Sequence, residues 1–193
     1  MKQKIDARGW ECPKPIIETK KLLDTMREGS VVTTVDNKLA ISNLINFSES
    51  MGYKVVCTEN EGEADIEITK EYSEYYENST SKVDLVIQVS SSTYGAESDG
   101  LGENLMKAYI YALTEAAAKP KALMFINKGV FLTTEGSPVL DSLHALEAAG
   151  VEIMSCGACL TFFGLEDALV AGSVTNMYAM VEKMNGAGNA IKI

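Results

Sequence analysis

Three short stretches of almost unbroken apolar residues constrain this chain more than any other feature: Val83-Asp-Leu-Val-Ile-Gln-Val89, Ala122-Leu-Met-Phe-Ile126 and Val151-Glu-Ile-Met154. A strand that is apolar at nearly every position must be covered on both faces, which is the situation of strands in a parallel sheet flanked by helices. The segments between them fit that demand. Helices are predicted over about 102–118, over 138–149 after the Ser137-Pro138 start signal, and over about 175–184, where Met177, Met180, Val181 and Met184 share one inward face. Ala190–Ile193 reads as a final strand. Strands alternating with helices predict an open, doubly wound, mainly parallel α/β domain.

The first third of the chain follows a different rule. Residues 3–7 read as a strand, and Ile16, Thr19, Leu23 and Met26 recur at helical spacing before Gly29, which is expected to end that helix. Val31–Val35 is rich in β-branched residues. Asn37 is a cap for a second helix with Ile41, Leu44, Ile45, Ser48 and Met51 inward, stopped by Gly52. Tyr53–Thr58 is a further strand, and Ala64-Asp-Ile-Glu-Ile-Thr69 alternates cleanly, one face buried and one wet. This βαβαββ order predicts a two-layer α/β sandwich with both helices on one face. Glu71–Ser81 is polar and without period. The expected division is therefore a domain over 1–71, a linker over 72–81 and a domain over 82–193.

Composition removes several functions. The net charge is −10, and no basic stripe offsets it, so direct nucleic-acid binding is not expected. No apolar stretch approaches the ~18 residues of a membrane span. The opening Met-Lys-Gln-Lys-Ile lacks a secretory apolar core, so a cytoplasmic protein is expected. There are four cysteines, Cys12, Cys57, Cys156 and Cys159, and one histidine, His144. In a reducing compartment structural disulfides are not expected, and without a second CxxC pair neither is a metal site. No cofactor is implied. Cys57, inside a strand, reads as core, and His144, between Leu143 and Leu146, as structural or exposed.

The segment Asp6-Ala-Arg8-Gly9-Trp-Glu-Cys12-Pro13-Lys-Pro15 carries the most chemistry. A residue before proline is pushed toward extended backbone, and proline is favoured at the first helical position. Cys12 is thus expected at the N-cap of the first helix, where the macrodipole favours a thiolate or persulfide anion. Arg8 and Lys14 bring positive charge close in sequence, and Gly9 permits a tight turn. The bland alternative is a small apolar residue at a strand–helix junction. Trp10 either docks a partner or covers the small sheet.

The pattern Asp-x-Arg-Gly-x-x-Cys-Pro-x-Pro resembles the signature of the TusA/SirA family of small sulfur carriers, and the element order of residues 1–70 is similar to that family. The resemblance implies that Cys12 accepts a persulfide sulfur from a cysteine desulfurase-type donor and passes it to an acceptor protein. Asp6, Arg8, Gly9, Pro13 and Pro15 match the flanking positions.

A second thiol motif, Ser155-Cys156-Gly-Ala-Cys159, follows the third apolar run. A CxxC that opens a helix after a strand fits dithiol chemistry, with the first cysteine exposed at the carboxyl end of a parallel strand. Cys159 reads equally as core, since Leu160, Phe162 and Phe163 follow. The stretch from Cys156 to Met177 resembles the C-terminal domain of YedF-type proteins, which join a TusA-like to a DsrE-like domain and are associated with selenium metabolism. That resemblance implies a homo-oligomer formed through the C-terminal domain. It carries a second relay thiol onto Cys156 only weakly, because CGAC is not the usual DsrE-like motif, and onto Cys159 more weakly still.

The loop Ser90–Gly102 is either an anion or small-ligand cradle or a plain loop; it lacks P-loop and dinucleotide fingerprints. The expected function is a sulfurtransferase-like sulfur or selenium carrier rather than a turnover enzyme. Two alternatives remain: a binding module with a DsrE-like cleft, and a dithiol oxidoreductase using Cys156 and Cys159.

Overall fold

A computed structural model describes residues 2–60, 62–71, 84–95 and 100–193. The chain divides into two compact units, Met1–Ser79 and Thr80–Ile193. The expected linker over 72–81, and Val83 of the first apolar run, lie outside the described residues.

The first unit runs β1 (Lys2–Asp6), α1 (Lys14–Asp24), β2 (Gly29–Val35), α2 (Lys38–Ser50), β3 (Lys54–Asn60) and β4 (Glu63–Lys70). Its sheet has the order β1-β2-β4-β3, with β1 parallel to β2 and the other pairs antiparallel. Alternation decides the two faces. Val31, Val35, Ala64, Ile66 and Ile68 form one core with Leu23 of α1 and Leu44 of α2. On the other face Thr34 donates to Asp65, Ser30 donates to Glu67, and Lys2 pairs with Glu67. A period of two in the strands thus puts both helices on one side.

The ends of α2 were fully legible. Asn37 Oδ1 accepts from the Ala40 amide at 2.8 Å. Gly52, at φ +71°, closes the helix as a left-handed cap, with Gly52 N–H on the Glu49 carbonyl and Tyr53 N–H on the Ser48 carbonyl. The end of α1 was not. It stops at Asp24, and Gly29 is the first residue of β2 rather than the helix terminator. Cys57 is corrected too: β3 is an edge strand, and the thiol is exposed.

The second unit runs β5 (Leu85–Val89), α3 (Leu101–Glu115), β6 (Ala122–Phe125), a 3-10 segment (Asn127–Thr133), α4 (Leu140–Ala148), β7 (Glu152–Cys156), α5 (Gly157–Phe163), β8 (Ser173–Thr175), α6 (Met177–Asn185) and β9 (Asn189–Lys192). Among the described residues its sheet has the order β8-β7-β6-β5-β9, with each pair parallel. Ile87, Val89, Leu123, Phe125 and Ile153 point to α3 and α4, while Val86, Met124, Met154 and Cys156 point to Met180 of α6. The three inner strands β5, β6 and β7 are covered on both faces, which is why their runs are nearly unbroken, while the edge strands β8 and β9 are largely exposed.

Two details depart from the expected helices. α4 begins at Leu140, because Pro138 and Val139 form the turn ahead of it. On α6 only Met180 is fully buried; Met177 and Val181 are exposed. Two glycines allow close backbone approach. A Cβ on Gly129 would lie 2.3 Å from the Val89 carbonyl oxygen, and one on Gly172, at φ +78°, would lie 2.4 Å from that of Ile153.

Gly52 and Gly172 share a left-handed backbone, but a Cβ on Gly52 meets open space. Gly52→Ala is expected to cost about 1 kcal/mol of stability in the first unit, the left-handed penalty alone. Gly172→Ala adds a backbone clash and is expected to cost more than about 2 kcal/mol in the second. Urea unfolding checks this: Trp10, the chain's single tryptophan, reports the first unit by fluorescence, and circular dichroism reports both. Equal costs for the two variants would contradict the close approach at Gly172.

Candidate functional site

The segment joining β1 to α1 is held from several directions. Ala7 is fully buried and its amide donates to the Thr34 carbonyl at 2.9 Å, continuing the β1–β2 pairing past the end of the strand. Gly9 sits at φ +71°, and its amide donates to Asp36 Oδ2 at 2.9 Å. Glu11 to Lys14 form a tight turn closed by the Lys14 amide on the Glu11 carbonyl at 3.0 Å, with a cis peptide between Cys12 and Pro13. Pro13, not Cys12, is the N-cap of α1, and its carbonyl accepts from Ile17 at 3.2 Å. Pro15 is buried in the first turn, where its missing amide hydrogen costs nothing.

Cys12 is therefore one residue ahead of its expected position. The reason is that Pro15 and Lys14 start the helix while Pro13 completes the turn. The thiol is exposed, at the edge of a cavity of ≈ 390 Å³ that Trp10, Asn37 and Leu39 also line. Asn43, in the second turn of α2, donates its side-chain amide to Cys12 Sγ at 3.4 Å. Nothing in the residues around Cys12 pointed to Asn43. Its spacing of three from Ala40 and six from the cap Asn37 puts these positions on one face of α2, but only the packing of α2 beside the turn brings that face to the sulfur.

The charges are arranged differently from the sequence expectation. Arg8 donates to both carboxylate oxygens of Asp6, at 2.8 and 2.6 Å, and to Glu63 of β4 at 3.0 Å. Its charge is matched by these carboxylates and braces the turn against the sheet. Lys14 lies 4.5 Å over the Trp10 ring. Asp6, Arg8 and Gly9 thus shape the turn that presents Cys12. The Arg8 hydrogen bonds hold the Asp6 carboxyl at about 2, against 3.8 for the free group, and Asp6 with Glu63 pushes Arg8 upward.

The second thiol motif lies in the second unit. Cys156 is the last residue of β7 and the N-cap of α5. It is 3% exposed, contrary to expectation. Its strand lies between β6 and β8, and its side chain faces Met154 and Met180. Cys159, one turn on, is half-buried. Its sulfur accepts from the Asn127 amide at 3.1 Å, and Asn127 holds a left-handed backbone at φ +50°. Burial first, and then hydrogen bonding with Cys156, push the Cys159 thiol above its usual pKa, while the Asn127 amide opposes the shift. The two thiols are thus neighbours, and both are free.

A cavity of ≈ 540 Å³ follows β5, lined in part by Ser92, Glu103, Lys107, Phe131 and Ser137. Residues 96–99 of the Ser90–Gly102 loop lie outside the described residues. Asn127 turns to Cys159 rather than to this cavity. His144 is exposed and pairs with Glu147 at 3.1 Å. Among the described residues, no group of three or more His, Cys, Asp or Glu side chains is placed to hold a metal ion, and no helix is long and apolar enough to cross a membrane.

The Asp6–Arg8 pair gives a pH prediction. The folded carboxyl lies below its free value, so its contribution to stability is complete above the free carboxylate range and lost as pH falls through about 2. NMR titration of Asp6 is expected to give a midpoint near 2 in the native chain and one returning toward 3.8 in Arg8→Gln. An unmoved midpoint in Arg8→Gln would remove Arg8 as the cause.

Comparison with known proteins finds one family match within each unit. The model of the family described as "Sulfurtransferase TusA" matches residues 3–70, and that of the DsrE/DsrF-like family matches residues 84–193. The "Putative sulfur carrier protein MJ0990" of Methanocaldococcus jannaschii is 41% identical over 58 residues, which are 30% of this chain and 77% of that protein. A SirA-like protein from Desulfitobacterium hafniense, of known crystal structure, is 34% identical with a TM-score of 0.34, covering 35% of this chain and 95% of its own. The ychN protein from E. coli is 16% identical with a TM-score of 0.44, covering 57% of this chain and 99% of its own. The chain belongs to the TusA-like sulfur-carrier family through its first unit and to the DsrE/DsrF-like family through its second.

Proposed function

We propose that Cys12 carries sulfur as a persulfide between a cysteine desulfurase-type donor and an acceptor protein. The observation that carries this reading is the presentation of Cys12. Its thiol is exposed at the lip of a cavity, on a turn braced by Asp36 and the Asp6–Arg8–Glu63 ion pairs, with an N–H group already directed at the sulfur. In loading, the Cys12 thiolate attacks the outer sulfur of the donor persulfide, and the donor cysteine leaves as a thiolate. In unloading, an acceptor thiolate attacks the outer sulfur on Cys12, a new S–S bond forms, and the electron pair of the broken bond returns to Cys12 Sγ. Neither step needs an external oxidant.

Cys156 is a second relay thiol in this reading, and Cys159 its hydrogen-bonded neighbour. Their shared hydrogen bond also supports a dithiol role, in which the pair reduces a substrate disulfide to two thiols and itself closes to a disulfide. Because Cys156 is buried, either role requires α6 or α5 to yield. The order of the two domains supports membership of the YedF type, with sulfur or selenium as cargo. Val174 of β8 and Met177, Tyr178 and Val181 of α6 are exposed apolar side chains of the second unit, which supports a homo-oligomer formed through it. The free thiols fit a reducing, cytoplasmic setting.

Intact-protein mass spectrometry after incubation with a cysteine desulfurase and cysteine tests the proposal. A sulfur adduct is expected in the native chain and in Cys156→Ala, and is expected to vanish in Cys12→Ala. An adduct that survives loss of Cys12 but not of Cys156 would move the chemistry to the second unit. Protein that gains no sulfur in any form would sink the carrier reading.

A further inference from the structure

We propose that Asn43 is a positioning residue for sulfur transfer, its side-chain amide holding Cys12 Sγ in both halves of the exchange. The inference rests on the reading of Cys12 as the carrier. Asn43 Nδ2 lies 3.4 Å from Cys12 Sγ, within reach of an N–H···S hydrogen bond. The other polar groups near the turn have different work: Arg8 is tied to Asp6 and Glu63, Lys14 lies over Trp10, and the Asn37 oxygen caps α2.

The support under Asn43 is rigid. α2 is capped at its start by Asn37 and closed at its end by Gly52, and its inner face is fixed by the fully buried Leu44 next to Asn43 in sequence. The amide is consequently held at one place on the sulfur's surface.

The chemistry gives that placement a purpose. In loading, negative charge leaves Cys12 Sγ as it attacks; in unloading, the pair from the broken S–S bond returns to the same atom. An amide N–H stabilises the sulfur most when it is anionic, because hydrogen bonds to charged acceptors are the stronger ones. It serves the leaving thiolate of the unloading step directly. Unlike lysine or histidine, the amide does not itself titrate.

Full-length Asn43→Leu and Asn43→Asp test the inference, the second keeping the side chain's shape. Iodoacetamide alkylation is followed by mass spectrometry at the Cys12 and Cys57 peptides. Cys57 is an exposed thiol of the same unit and serves as the internal control for folding. Cys12 alkylation at neutral pH is expected to slow roughly tenfold in Asn43→Leu and more in Asn43→Asp, where a carboxylate replaces the donor. Asn43→Gln, which keeps the amide donor, is expected to recover part of the Cys12 rate, and Cys57 is expected to be unaffected. Cys12 rates equal to the native chain in Asn43→Leu and Asn43→Asp, or equal changes at Cys12 and Cys57, would overturn the proposal. Desulfurase loading separates the two readings: normal loading with unchanged alkylation removes Asn43 and keeps the carrier, whereas slowed alkylation in a chain that never loads keeps the Asn43 contact and removes the carrier.

Discussion

The presentation of Cys12 depends on one short connection, the turn between β1 and α1. A strand that ends inside a sheet and a helix that begins a few residues later leave little chain to expose a thiol. Here the connection is fixed at three points. Arg8, in the turn, links Asp6 at the end of β1 to Glu63 on β4, Asp36 takes the Gly9 amide from beyond the end of β2, and Pro15 is buried in the first turn of α1. Surface ion pairs of this kind add little to global stability when taken singly. Their effect here is geometric, since they decide which way the turn faces. The motif residues around the cysteine therefore act as scaffold, and the group that touches the sulfur comes from α2.

The second unit solves a different problem with the same economy. The inner strands of this parallel sheet are covered on both faces, so a cysteine at the inner end of β7 is buried. The 3-10 segment after β6 brings Asn127 onto Cys159, and it can lie that close because Gly129 lets its backbone sit against the Val89 carbonyl. Gly172 does the same for the chain entering β8, which flanks Cys156.

Much of this was legible from residue pattern because the relevant forces are local or periodic. Asn37 and Gly52 announce the ends of α2 through caps that involve only near neighbours. The alternation of 64–69 and the unbroken runs of the second unit state how many faces of each strand are buried. The misreadings have the opposite character. Cys57 reads as core from its strand, but whether a strand is central or at an edge is a property of the sheet order. Cys156 reads as exposed from its place at a strand end, but α6, a helix more than 20 residues on, lays Met180 over that face of the sheet. Charge near Cys12 in sequence is not charge near its sulfur, since Arg8 is turned toward Glu63. Asn43 is 31 residues from the thiol it touches, and no local rule could have named it.

The two sulfur sites share one physical feature. Cys12 accepts from the side-chain amide of Asn43, and Cys159 from the backbone amide of Asn127. Both donors are neutral. A lysine or arginine beside the exposed Cys12 would form a surface ion pair, worth about 0–1 kcal/mol, with long side chains held in no fixed geometry. A single amide hydrogen bond to a charged acceptor contributes about 1.5–3 kcal/mol in a dry site and less at an exposed one such as Cys12. That is enough to orient a sulfur atom and favour its anion, and small enough to be given up. The nearby cations are engaged elsewhere, Arg8 being neutralised by two carboxylates and Lys14 held over an aromatic face. The thiol is left with a neutral donor that orients it.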